Sequence, residues 1–346
     1  MATRFDHKGG FADQAAMARK RSPKTPDKID EIIDWRPIER YLEENLDRRC
    51  NAAGNPSYPA LGMFKALLLQ SWYGLSDREL SDNLEDRISF SHFCGFSLDH
   101  EVPDNSTICR FRNILHEKGL AEPLWEMINA QIQAGGLEIK AGIIVDASLV
   151  ESSRRPRKKQ DVIPVEEDHD DFSDGGGGYE VKTSYSGDRE AAWTIKAKKP
   201  HYGYKAHIAV DAEHGFILAG HATPANRADC KEMMGVVNKC GLDKGAPVFA
   251  DKGYSGEGYR SQLEDAGYFD GIMYKAARGH PLSESQRLVN RAISRIRGKV
   301  ERAFGALKKD HRMARAKYLG AAKVGLQLLL DAMAFNLKKA MRMAMP

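Results

Sequence analysis

From Asp30 to about Gly136, apolar residues recur at helical spacing in short runs that end at turn residues. The densest run is Met63-Phe64-Lys65-Ala66-Leu67-Leu68-Leu69, which stops at Tyr73-Gly74-Leu75. Ser76-Asp77-Arg78-Glu79 then places a hydroxyl three residues before a carboxylate, the signature of a capping box that opens a second helix. Asp104, Asn105 and Ser106 can cap a further helix carrying Arg110, Phe111 and Arg112. Short helices joined by tight turns predict an all-α domain over residues 30–136. It is compatible with a helix-turn-helix that touches DNA through Arg110 and Arg112, or with a packing or dimerisation module.

The period changes after Gly135-Gly136. Ala141 to Val145 is a short apolar run that predicts a buried strand ending in Asp146. Residues 152–200 break the pattern. Arg154 to Lys159 is basic, Glu166 to Asp174 acidic and Gly175 to Gly178 all glycine, a composition that buries no core and predicts a mobile insertion. Tyr204 to Asp211 and Phe216 to Thr223, separated by Glu213-His214-Gly215, predict a hairpin, followed by a helix from about Asp229 to Asn238. Pro247-Val248-Phe249-Ala250 predicts a second apolar strand ending in Asp251. Ser283 and Gln286 form a capping box at the start of a long helix.

That last helix carries the densest pattern. At 100° per residue, Arg297 lies about −40° and Lys308 about −20° from Glu301, so one carboxylate stands among cations on one face. Ile293, Ile296, Val300, Phe304 and Leu307 fall between about −60° and −140°, a continuous apolar stripe beside it. The helix is expected to pack on a core and present Glu301 at its rim, where an ordinary (i, i+4) surface pair would otherwise be the reading.

Charge sharpens this. Between Arg291 and Lys317 stand ten Lys or Arg, among them Lys309 and Arg312, against Glu301 and Asp310, while the whole 346-residue chain carries only +4. The basicity is therefore local, and a concentrated cationic stretch attracts the phosphates of nucleic acid. With 42% apolar residues and no apolar run near the roughly 20 residues of a membrane span, a membrane protein is excluded. Five scattered cysteines without a Cys-x-x-Cys give neither a disulfide framework nor a zinc knuckle. The polar start lacks a secretory apolar stretch, so residues 1–29 read as a loose arm and the cytoplasm as the expected compartment.

Two carboxylates at strand ends and one on a facing helix would gather three hard oxygen donors at one edge of a sheet. Such a set suits Mg²⁺ or Mn²⁺, and a pair of these ions about 4 Å apart supports phosphodiester cleavage or exchange. Asp146 and Asp251 each have an alternative as strand-end turn acids.

The chain resembles the DDE transposases of bacterial insertion sequences, in the group named after insertion sequence five, from about Asp30 to Lys339. Val145-Asp146-Ala147-Ser148 resembles the first catalytic strand and Tyr202 to Asp211 the central hairpin. Thr223 to Asp229 resembles the turn that follows, and Ala250-Asp251-Lys252-Gly253-Tyr254 the strand with the second acid. Arg297-x₃-Glu301-x₆-Lys308 is similar to the family's Tyr-x₂-Arg-x₃-Glu-x₆-Lys element, with Ser294 at the tyrosine position. The resemblance implies an α/β RNase H-like catalytic domain, a mixed sheet flanked by helices, over residues 137–346 with the insertion at about 152–200, preceded by the all-α domain. It implies Asp146, Asp251 and Glu301 as catalytic acids and ligands of two Mg²⁺ or Mn²⁺ ions. Arg297 and Lys308 would bind phosphate or the transposon end, and Lys309, Arg312, Lys205 and Lys252 are further DNA-facing candidates.

The partners so implied are double-stranded DNA at terminal inverted repeats and at the target. A homodimer or larger end complex in the cytoplasm, associated with the nucleoid, is implied as well. A stand-alone nuclease and a non-catalytic DNA-binding repressor are the rival readings. Lys205 and His207 alternate with Tyr204 and Ile208 on a strand, which suggests hydrogen bonding within the hairpin. Tyr254 either lines the site or packs against the sheet, and Trp193 has no role that the sequence supplies.

Overall fold

The computed structural model describes residues 10, 25–46, 57–135, 142–164 and 179–344. Most of the expected N-terminal arm and the acidic and glycine part of the expected insertion lie outside these residues.

Among the described residues seven helices precede the sheet: α1 (Thr25–Ile32), α2 (Arg36–Asn45), α3 (Ala60–Tyr73), α4 (Asp77–Asp86), α5 (Ile88–Cys94), α6 (Asn105–Glu117) and α7 (Ala121–Ala134). Their ends are set where the sequence places them. Gly74 takes the left-handed conformation (φ 64°) that closes α3, Ser76 and Glu79 form the reciprocal capping box of α4, and the Asp104 side chain caps α6 through Thr107 N.

The strands follow: β1 (Ile143–Glu151), β2 (Arg157–Pro164), β3 (Tyr179–Ser186), β4 (Ala192–Lys196), β5 (Lys199–Asp211) and β6 (Ile217–Pro224). After helix α8 (Asp229–Val237) come β7 (Pro247–Ala250), α9 (Glu257–Asp265), β8 (Phe269–Ile272), α10 (Glu284–Lys309) and α11 (Ala321–Ala344). β1, β5 and β6 form an antiparallel meander, while β7 pairs parallel with β1 and β8 parallel with β7. The resulting order β6-β5-β1-β7-β8 is that of an RNase H-like sheet, here extended by β4 on β5. The chain is thus a mixed sheet flanked by helices and preceded by a helical region, as expected.

Two expectations change. Strand β1 does not end at Asp146 but runs five residues further, because β5 is long enough to pair with it as far as Glu151↔Gly203. Within 152–200, β2 and β3 form an antiparallel pair and β4 joins the main sheet, so this stretch contains regular structure.

Helix α11 is buried nearly all round, including Val324, Leu328, Met333 and Leu337, as a helix central to a protein must be. One face packs on β6 and the other on α3 and α7, so a single apolar cluster runs from Ile29 through Leu67 and Leu330 to Tyr204. Two polar contacts fix α11 between these layers. Trp72 Nε1 donates to the Ala334 carbonyl at 2.6 Å. The buried Asn336 amide accepts from Ile217 N at 2.9 Å and donates to Ile217 O at 2.7 Å and to Asn129 Oδ1 at 2.9 Å. On the opposite face of the sheet, Ile143, Val145 and Val248 pack against Met233 and Val236 of α8.

Replacing Asn336 by Ala leaves the edge of β6 with unmatched buried backbone groups, an expected loss of about 3 kcal/mol in denaturant unfolding. A loss below about 0.5 kcal/mol would show that the clamp does not hold the layers together.

Candidate active site

Strand alternation divides β1 between two faces. Ile143 and Val145 point toward α8, and Ile144 and Asp146 toward α10. In the β1–β7 ladder Ile144 stands beside Phe249, so two residues onward on each parallel strand Asp146 comes level with Asp251. Asp251 follows the last residue of β7 and caps a single 3-10 turn, Lys252–Tyr254, its Oδ1 accepting from Gly253 N at 2.7 Å.

Asp146 Oδ1 accepts from Ala147 N at 2.8 Å, and Oδ2 meets Arg297 Nη2 of α10 at 3.0 Å. The two side chains are only 20% and 13% exposed. Burial pushes the Asp146 carboxyl above the usual carboxylate range; Arg297 opposes this and the neighbouring Asp251 adds to it. Beneath the acids lies Tyr254, whose hydroxyl is buried with no hydrogen-bond partner among the described residues. Burial first, then the charges of Asp146, Asp229 and Asp251, raise it well above an ordinary tyrosine. Arg297 Nε is likewise buried without a partner. Two carboxylates, one guanidinium and one phenol thus meet beneath a surface that leaves two buried donors unused.

Glu301 stands one turn beyond Arg297 and is exposed. Among the described residues, no three His, Cys, Asp or Glu side chains are grouped closely enough to hold a metal ion. Asp146 and Asp251 are the hard oxygen donors present, the kind a Mg²⁺ or Mn²⁺ ion takes, while Arg297 balances the charge of Asp146 and Glu301 stands apart.

The basic candidates divide. Lys252, Lys309, Arg110 and Arg312 are exposed, Arg110 holding Ser106 and Arg312 adopting φ 57° over Gly74. Lys308 is half-buried; burial and then the nearby Lys196 lower its pKa. Lys205 pairs with Asp229 at 2.8 Å and donates to the Arg227 carbonyl. Arg112 is a correction. Its guanidinium makes paired bonds of 2.6 and 2.7 Å to Asp77 and stacks over Tyr318 at 4.2 Å, 4% exposed, so it ties helices together and faces no DNA.

Tyr254 both packs and faces the acids. Nothing in the residue spacing marks Lys196 as a neighbour of Lys308, because hairpin reach is invisible in spacing. His207 bonds within the hairpin as expected, Nε2 to Thr223 Oγ1 at 2.8 Å, with its ring stacked 5.1 Å from His221. His221 in turn bonds Glu232, which Arg227 also holds.

A family model described as "Transposase DDE domain" matches residues 139–337. Another, described as "Transposase domain (DUF772)", matches residues 16–113. The transposase for insertion sequence element IS1106 of Neisseria meningitidis serogroup B is 38% identical over 233 residues, 67% of this chain and 76% of that protein. Among solved structures, the piggyBac transposase synaptic complex with hairpin DNA aligns with TM-score 0.42 and 11% identity over 91% of this chain and 76% of that one. The Mos1 strand transfer complex aligns with TM-score 0.21 and 11% identity over 96% and 90%.

His207 supplies a pH test of this network. Burial, and then its neighbour His221, press its pKa from 6.5 to about 4. Below pH 6.5 the unfolded chain therefore binds a proton that the folded one refuses, and stability falls as pH drops toward 4. His207→Gln should remove about 2 kcal/mol of that decline between pH 7 and pH 4.5, measured by denaturant unfolding at the two pH values. An identical decline in the variant would refute the buried neutral imidazole.

Proposed function

We propose that this chain, which belongs to the DDE transposase family, binds the terminal inverted repeats of its element as double-stranded DNA, cuts at the element ends and joins the 3′ ends to target DNA. The observation that carries this is the level placement of Asp146 on β1 and Asp251 just past the end of the adjacent parallel strand β7, beside a helix rich in cations. DDE transposases generally use divalent metal ions. In this reading Asp146 and Asp251 hold Mg²⁺ or Mn²⁺, and Glu301 completes the donor set. Two such ions would activate the attacking oxygen and stabilise the leaving 3′ oxygen.

The chain's own residues supply the rest. Arg297 keeps Asp146 neutralised in the free protein, and its unused Nε is a donor suited to a phosphate oxygen. A DNA phosphate that draws the guanidinium away leaves Asp146 free to serve as a metal ligand. Lys308, with Lys196 beside it, extends the cationic track along the backbone. The Tyr254 hydroxyl offers a proton to a group bound at the acids, and its high pKa keeps it a donor at neutral pH. Joining two ends requires at least two chains. No helix among the described residues is long and apolar enough to cross a membrane.

Asp146→Asn, Asp251→Asn and Glu301→Gln should each reduce Mg²⁺-dependent cleavage of an end-containing duplex about a thousandfold or more, the scale of single catalytic groups, while duplex binding persists. Cleavage retained in one variant rejects that residue. Cleavage indifferent to end sequence, without joining of 3′ ends, would favour a nuclease.

A further inference from the structure

A second cationic site lies on the other side of α10. Lys299, Arg302 and Ala303 of that helix, Phe335 and Lys339 of α11, and the β5–β6 turn at His214 and Gly215 enclose a pocket of about 170 Å³. On the helical wheel Lys299 and Arg302 are about 160° and 140° away from Arg297. The buried stripe of α10 separates this pocket from the acids.

The pocket is short of anions. Among the described residues, Lys299, Arg302 and Lys339 take part in no ion pair within 4.0 Å. Lys299 donates to the Ala212 carbonyl at 2.5 Å, a neutral partner. The Lys339 ammonium rests 5.6 Å over Phe216 and 6.0 Å over Phe335. Asp211, the acid whose charge acts on Lys339, is occupied by the turn's own amides, accepting from Glu213 N at 3.2 Å, from His214 N and from Gly215 N at 3.1 Å. Glu213 faces His214 at 3.9 Å. Burial, and then repulsion from Arg302, Arg342 and Lys299 against the pull of Asp211, lowers the Lys339 pKa. Like charges gathered in a concave site repel one another until an anion enters.

We propose that this pocket is a second phosphodiester-binding site, taking a backbone phosphate of double-stranded DNA held on the opposite rim of α10 from the catalytic acids. The proposal rests on the reading that the chain binds DNA. A duplex held there is distinct from the strand presented to Asp146 and Asp251, so one helix would grip DNA along both of its rims. Arg302, exposed at the mouth, makes the outer contact, and Lys339, steadied by two aromatic rings, makes the inner one.

The test compares wild type, Arg302→Gln, the double variant Arg302→Gln/Lys339→Gln and Arg297→Gln. Each is titrated with a duplex of one inverted repeat plus flanking DNA, at several salt concentrations without divalent metal. Each lost phosphate contact should flatten the plot of log K against log salt by about 0.9, so the double variant should lose about 1.8 and Arg302→Gln about half of that. Arg297→Gln should lose about 0.9 independently, and thermal melts confirm that each variant folds. A double variant with the wild-type slope, beside an Arg297→Gln variant that flattens it, overturns the second site and leaves the functional reading standing. Failure of wild type to bind the duplex overturns both. Inorganic phosphate that raises the melting temperature of wild type only, with no difference in DNA slope, assigns the pocket to free anions and also overturns the proposal.

Discussion

The parallel pairing of Ile144 with Phe249 is the constraint from which the site follows. Side chains alternate along a strand and adjacent parallel strands keep their pleats in step, so fixing one pair fixes the acids two residues further on. A register slip of one residue would turn Asp146 toward α8 and bury it among Met233, Val236 and Val248, where no cation could meet it. The apolar residues on both faces of β1 prevent that slip, since each face is matched to its own cluster. The level placement of the two aspartates is in this sense a by-product of core packing.

Two carboxylates brought level in a partly buried site repel each other, and the structure shows what offsets this. Arg297 reaches from α10 to Asp146, so the helix that carries the third acid also carries the counter-charge. Its position is set by Val300, Phe304 and Leu307, which seat α10 on the core and leave Arg297 at the rim. Helix α11 then locks the assembly from behind, through Trp72 and Asn336, to the helical region on one side and to β6 on the other. Trp72 and Asn336 bond within the protein at that interface, as Arg112 does with Asp77. This explains why a basic residue on a candidate DNA-contacting helix became a strut between helices.

Much of this was legible in the sequence. Capping boxes at Ser76 and Ser283 are local chemistry and appear where the spacing puts them. The apolar stripe of α10 and the two acid-bearing strands follow from period alone. What spacing could not show was partnership across the fold. The continuation of β1 beyond Asp146 depends on the length of β5, 50 residues away in the chain. The burial of Arg112 depends on Asp77 and Tyr318, neither of which is marked as its partner by sequence. The ion pair of Arg297 with Asp146 spans 151 residues. The segment 152–200 misled for a related reason: its composition has no core of its own, yet β4 borrows the edge of β5.

The central claim is that three acids distant in the chain share divalent cations. Calorimetric titration of Mn²⁺ into the duplex-bound protein and its single-acid variants tests it most directly, because it reads ion binding rather than turnover. Asp146→Asn, Asp251→Asn and Glu301→Gln should each weaken Mn²⁺ binding at least tenfold, about 1.4 kcal/mol. Wild-type affinity in Glu301→Gln would contradict it, leaving Glu301 a surface residue and the site a pair of aspartates held by an arginine.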